Sequence, residues 1–316
     1  QPEEFDLSAA LDYQQALAQG YLPIREVARG TGVNPVTLRA WERRYGLVVP
    51  YRTAKGHRLY APEQIERIHQ VLTWLNRGVA VGQVRELLEQ NEPPEMIVSG
   101  IWDELRQAML HSITHQAERS LDEAFNRAQS LYPPGVLCAQ LLLPLLAELD
   151  RRWHDLPFGA QLEQVFCHSW LRSKLGARLY HDNRQRGAAP LLLVNLSDSH
   201  FEPGLWLCAW LLNGAGCPVQ VLDWTVPPSE LVQAVDHIAP RALLLYSGQA
   251  LAAPLRHQLP RLAEACAVPL LLAGPAATIH HDELRLLQGL NLAADPLQAE
   301  QRLRELDLLE DAPCAS

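Results

Sequence analysis

Five short apolar runs, at 191–196, 219–222, 242–246, 270–272 and 290–292, alternate with helical stretches that begin near Pro203, Pro228, Ala252, His281 and Pro296. Runs of this length without polar alternation suit strands buried on both faces. Parallel strands need a crossover between them, and a helix is the usual one. Five repeats of the pattern therefore predict a flavodoxin-like, doubly wound parallel sheet over 188–308, with a tail at 309–316. Ligands bind such sheets outside the carboxyl ends of the strands, which is where His200 stands after the first run.

Residues 100–187 read differently, as leucine-rich helices broken at Tyr132-Pro133-Pro134 and at Leu156-Pro157-Phe158-Gly159. A bundle of about four helices fits that length. Ahead of a linker at 91–95, the segment 21–92 is more specific. Pro23 opens a short helix with Ile24, Val27 and Ala28 at helical spacing; Gly30-Thr31-Gly32 breaks it, and Asn34-Pro35 starts the next with a capping residue followed by proline. Two helices joined by a glycine turn make a helix-turn-helix. The second should run from Val36 to Tyr45, and two β-like runs around Lys55-Gly56 should form a wing. Helices from Pro62 and from Val81 to Gln90 should then close the domain. Residues 1–20 are expected to be a mobile arm or a peripheral helix.

Charge divides along the same lines. The chain carries −9 overall, yet residues 24–60 hold eight basic groups against Glu26 and Glu42, a net +6 that leaves −15 on the rest. A basic segment on an acidic body is the electrostatic footprint of a phosphate binder.

Helix-turn-helix, wing and two further helices, in that order, resemble the MerR family. The words match too: Ile24-Arg-Glu-Val-Ala-Arg-Gly-Thr-Gly-Val33, Thr37-Leu-Arg-Ala-Trp-Glu-Arg-Arg-Tyr-Gly46 and Gly56-His-Arg-Leu-Tyr60. The resemblance implies a DNA-binding transcription regulator that acts as a homodimer on a palindromic operator in double-stranded DNA, with assembly beyond a dimer left open. Arg39 and Arg43 are the candidates for base edges, because guanidinium binds guanine bidentately. Thr37, Arg44 and Tyr45, with Arg52, Lys55, His57 and Arg58 on the wing, are the candidates for phosphates. Tyr60 is assigned either to that set or to the core, and Trp41 to the core.

The helical region and sheet, behind such a head, resemble the cobalamin-binding CarH/LitR photoreceptor group and its MlrA/BluR-like relatives. The resemblance implies corrin contacts from Trp153, Glu163, His200, Ser247 and Gly274, with His200 as the cobalt ligand. Each family word is altered. The loop Asp198-Ser-His200-Phe-Glu-Pro-Gly204 has one residue too many between His and Gly, and the Trp153 word continues to Glu163 and then Gln164 where the group has histidine. The remaining two words appear as Ser247-Gly-Gln249 and Ala273-Gly274-Pro275. The expectation is a repressor that carries no cofactor and is controlled by a partner protein such as a photoreceptor. Its alternative is an adenosylcobalamin-dependent light-sensing repressor.

Other classes are set aside. Six scattered cysteines without metal spacing read as buried reduced thiols. No apolar run reaches a membrane span and the first residues are acidic, so a cytoplasmic location is expected. No nucleophile–base pair or paired carboxylates suggest an enzyme.

Overall fold

The computed structural model describes residues 13–90 and 100–309. The first twelve residues of the expected arm, the expected linker at 91–95 and the tail from 310, with Cys314, lie outside them. Two compact units are present, one ending at Arg151 and the other starting at Arg152.

In the first unit, α1 (Tyr13–Ala18) precedes a two-residue strand, β1 (Leu22–Pro23), and α2 (Ile24–Thr31). Gly32 turns the chain with φ 73°, a conformation that costs glycine nothing. Asn34 then caps α3 (Pro35–Ala40), its Oδ1 accepting from the Thr37 amide at 2.8 Å. The helix does not stop at Ala40. It continues as a wider π turn, Trp41–Tyr45, and ends at Gly46 with φ 58°. The wing is β2 (Tyr51–Arg52) and β3 (Arg58–Tyr60). β3 lies between β2 and β1, antiparallel to both, so the wing has a third strand that the sequence did not announce. α4 (Pro62–Asn76) and α5 (Val81–Glu89) follow, with Ile68, Val71, Leu75, Val84 and Leu87 buried. Then come α6 (Ile101–Thr114), α7 (Glu118–Leu131), α8 (Pro134–Leu137), a second π turn (Cys138–Leu142) and α9 (Leu143–Asp155), in which the unit boundary falls.

The second unit opens with α10 (Ala160–Asn183). Five strands follow: β4 (Leu191–Asn195), β5 (Val219–Leu222), β6 (Ala242–Tyr246), β7 (Leu270–Ala273) and β8 (Leu290–Ala293). All are parallel in the order β5-β4-β6-β7-β8, which is the flavodoxin-like winding expected. The crossovers are α11 (Pro203–Gly214), α12 (Pro228–Ile238), α13 (Ala253–Ala265), the short pair α14 (Pro275–Ile279) and α15 (His281–Leu284), and finally α16 (Pro296–Glu305). The helix after β7 thus begins at Pro275, earlier than the His281 expected. One core joins Leu192, Val194, Leu243, Leu245, Leu270 and Leu272 to Leu231, Val235, Leu259 and Leu262 of α12 and α13. On the opposite face α11 and α16 cover the sheet. Every residue from Leu205 to Asn213 is buried, which is why α11 shows no amphipathic stripe. Among the described residues no helix is long and apolar enough to cross a membrane. The cysteines at 138, 167, 208 and 217 are buried and unbridged.

Candidate DNA interface and the rear crevice

The α3 helix and its π turn show which side chains are available to a duplex. Arg43 and Arg44 are exposed and Arg39 is half-buried. Val36 is 60% exposed and shares their stripe at i, i+3 and i+7, although the sequence marks it only as a helix start. A small apolar side chain there suits a thymine methyl. Tyr45 is half-buried, close to where a side chain on Gly82 of α5 would stand. Thr37 and Tyr60 are not on this surface. Both are fully buried, and their hydroxyls lack a hydrogen-bond partner among the described residues. Thr37 faces inward because it is one turn before Trp41, which is also buried. Burial, and then the Glu42 carboxylate, push the Tyr60 phenol up to about 12. Tyr60→Phe removes a buried hydroxyl with no partner, so it should leave stability unchanged or raise it by up to about 1 kcal/mol. Operator affinity should not move; a tenfold loss in a gel-shift titration would return Tyr60 to the phosphate contacts.

Glu42, in the sequence only a negative charge among eight cations, organises the wing. Its carboxylate accepts from Arg52 at 2.7 Å and from Arg58 at 2.6 Å. Burial alone would raise its pKa, but the two guanidiniums more than offset that and hold it below the usual carboxylate range. Arg58, 16% exposed, therefore ties the wing to the helix, while Arg52 remains half-exposed. Lys55 and His57 stand exposed at the wing tip, where Gly56 (φ 81°) closes the turn with its amide on the Thr53 carbonyl at 2.8 Å. Arg25, at the start of α2, joins Lys55, His57 and Arg58 around an open groove of about 830 Å³.

The second unit places the residues expected around a corrin in separate settings. Trp153 Nε1 donates to Glu163 at 3.1 Å, and Arg152 grips the same buried carboxylate through two bonds of 2.8 and 2.9 Å. His168 lies between Trp153 and Phe201, with ring centroids 5.6 and 4.9 Å away, and Phe201 stacks toward Trp206. Burial brings the His168 imidazole down to about 4. His200 stands on the exposed rim, edge-on to the exposed Trp224 at 5.7 Å. Asn195 ties the loop before it, accepting from the Ser197 amide at 2.8 Å and donating to the Ser199 carbonyl at 3.2 Å. Ser247 Oγ is turned onto its own loop, donating to the Gln249 carbonyl at 2.7 Å.

Three glycines meet at the carboxyl edge of β4, β6 and β7. A side chain at Gly204 would overlap the Tyr246 hydroxyl and ring, and one at Gly248 would lie 2.6 Å from a Glu202 oxygen. One at Gly274 (φ 99°) would lie 2.5 Å from the Ser247 carbonyl and 2.9 Å from Tyr246. Glu202 is 7% exposed and accepts from the Gly248 amide at 3.1 Å, joining the loops after β4 and β6. These are the loops flanking the point where the strand order reverses. The space that the glycines leave is taken by Tyr246 and Glu202, which sequence reasoning did not single out. Among the described residues no group of three or more His, Cys, Asp or Glu could hold a metal ion.

A winged helix-turn-helix with an arginine-bearing second helix, joined in one chain to a doubly wound sheet, defines a DNA-binding regulator with an appended α/β domain. Residues 22–91 match the family described as MerR HTH family regulatory protein. The HTH-type transcriptional regulator MlrA of Salmonella typhimurium is 32% identical over 202 residues, covering 63% of this chain and 78% of the relative. The HTH-type transcriptional repressor CarH of Myxococcus xanthus is 26% identical over 291 residues, covering 84% and 92%. Its fellow HTH-type transcriptional repressor CarA is 28% identical over 230 residues, covering 71% and 75%. The chain belongs to the MerR family of transcriptional regulators, in the group that contains MlrA and CarH.

Proposed function

We propose that the chain is a homodimeric repressor of light- or signal-responsive genes that reads a palindromic operator and is switched by a protein partner rather than by a bound cofactor. Arg39 and Arg43 read base edges, with Val36 against a thymine methyl. Arg44, Tyr45, Arg52, Lys55 and His57 hold phosphates, and Arg58 fixes the wing through Glu42. Repression follows the two relatives named as repressors; response to light rests on resemblance to the photoreceptor group.

The observation that argues against a bound cofactor, and so favours control by a partner, is the close packing of Tyr246 and Glu202 against the glycines at the carboxyl edge of the sheet. The residues present do not fit a corrinoid. Tyr246 and Glu202 occupy the space under the three glycines, His168 bridges Trp153 to Phe201, and His200 faces Trp224. One observation favours the alternative of adenosylcobalamin-dependent repression, namely that Trp153 and Glu163 remain paired.

A single set of titrations tests the reading. The purified protein is expected to be colourless, to leave the absorbance of added adenosylcobalamin unchanged, and to bind operator in the dark without it. Corrin uptake, or operator binding that needs adenosylcobalamin and is lost on illumination, would establish the alternative. On the DNA side, Arg43→Ala should weaken operator binding by roughly 1–3 kcal/mol and relax its sequence preference. Lys55→Ala should weaken operator and random duplex alike; equal losses on both for Arg43→Ala would remove it from base reading.

A further inference from the structure

The helix that carries Arg39 and Arg43 is tied to helices beyond residue 100. Trp41 is fully buried, and its Nε1 donates at 2.8 Å to the carbonyl of Leu131, the last residue of α7. The next residue, Tyr132, accepts through its buried hydroxyl from the Val81 amide at 3.2 Å, at the first residue of α5. Its ring packs on Trp102 of α6 with centroids 4.5 Å apart. Gln140 donates to the carbonyl of Asn76, the last residue of α4, at 3.0 Å, and Trp102 to the carbonyl of Gly78, two residues beyond it, at 2.9 Å.

Three of these backbone groups, the Leu131 and Asn76 carbonyls and the Val81 amide, are of one kind. A helix leaves its first amides and last carbonyls without partners inside the helix. Here the start of α5 and the end of α4 are completed by side chains from residues 102–140, and the end of α7 is completed by the reading helix itself. The bond from Trp41 has a particular consequence, because the π turn that holds Arg43 and Arg44 begins at Trp41. A π turn is a rare, wide backbone state that needs support from its surroundings. Where it starts decides how the two arginines are aimed.

We infer that the α6–α7 hairpin is part of the DNA reader: Trp102 and Tyr132 seat it on the head, and the Leu131 carbonyl, through Trp41, sets the π turn that aims Arg43 and Arg44. Trp41, Trp102 and Tyr132 are positioning residues, and any signal that shifts the hairpin re-aims the arginines. This rests on base reading by Arg39 and Arg43.

The test uses the full chain with Trp41→Phe, which removes the indole N–H, and Tyr132→Phe, which removes the hydroxyl. Affinities for operator and for random duplex are measured at one salt concentration, together with Tm. Operator affinity is expected to fall about five- to tenfold in each variant as the orphaned partner lets the π turn shift and re-aim Arg43, while random-duplex affinity falls no more than about twofold, because Arg44 and Tyr45 are the phosphate contacts on that turn and Arg52, Lys55 and His57 on the wing are untouched. A purely structural seat would lower Tm and leave the operator-to-random ratio unchanged; that result in both variants overturns the proposal. If Trp41→Phe fails to fold, Trp102→Phe, on a different helix, carries the same expectation beside Tyr132→Phe. A wild-type chain with no preference for operator would overturn base reading itself, and this proposal with it, which separates the two failures.

Discussion

Gly204→Ala is expected to destabilise the second unit by about 3 kcal/mol, although alanine normally strengthens a helix by about 1 kcal/mol over glycine. The reason is local. A methyl at Gly204, in the first turn of α11, would overlap the Tyr246 hydroxyl and ring. Tyr246 ends β6 and pairs with Asn195 on one side and Ala273 on the other, so its backbone cannot retreat. The ring must leave its place or α11 must tilt. On a Tyr246→Ala background the same methyl enters vacated space, and the cost should fall below about 1 kcal/mol. Urea unfolding of the four corners of this cycle measures the coupling. Equal costs on both backgrounds would show that Tyr246 does not fill the crevice, and the main support for partner control would go with it.

Acid should weaken the second unit through His168. Its imidazole lies between Trp153 and Phe201, and burial lowers its pKa to about 4 from the ordinary 6.5. The unfolded chain takes up this proton as pH falls through 6.5, whereas the folded chain resists until about 4. Stability is therefore whole above about 6.5 and declines below it, by about 2 kcal/mol at pH 5 and roughly 3 kcal/mol at pH 4, where the loss levels off. His168→Phe keeps an aromatic ring without a titrating nitrogen, and should be flat over that window apart from the slope shared with the wild type. Tryptophan fluorescence during urea unfolding at pH 7.5 and pH 5 makes the comparison. Identical pH dependence in both chains would show that His168 is solvated rather than enclosed.

The parts of this fold that depend on local pattern were legible. Parallel strands buried on both faces announce themselves as apolar runs, so 191–196 was expected and Leu191–Asn195 is found. Likewise the glycine turn and Asn34-Pro35 located the two reading helices. What failed depends on partners distant in sequence. A strand as short as Leu22–Pro23 has no periodicity to show, and it exists because β3 offers it an edge. The π turn at Trp41 cannot be read from spacing. Thr37 could have been placed correctly, since a residue four before a core tryptophan shares its face. Nothing near Glu42 in sequence reveals that Arg52 and Arg58 converge on it. The crevice was half visible: the altered family words signalled a changed pocket, but which side chains fill it depends on glycines from the start of α11 and from the loops after β6 and β7 meeting Tyr246 and Glu202.

The carboxylate that joins helix and wing also bears on how tightly this surface responds to ionic strength. Each phosphate neutralised on duplex DNA releases condensed counterions and steepens the salt dependence of log K by about 0.9. Eight cations between residues 24 and 60 would suggest a steep slope, but Arg52 and Arg58 already share an internal anion in the free protein. A regulator that brings its own counter-charge should keep more of its grip when the salt around it rises than its cation count alone would indicate.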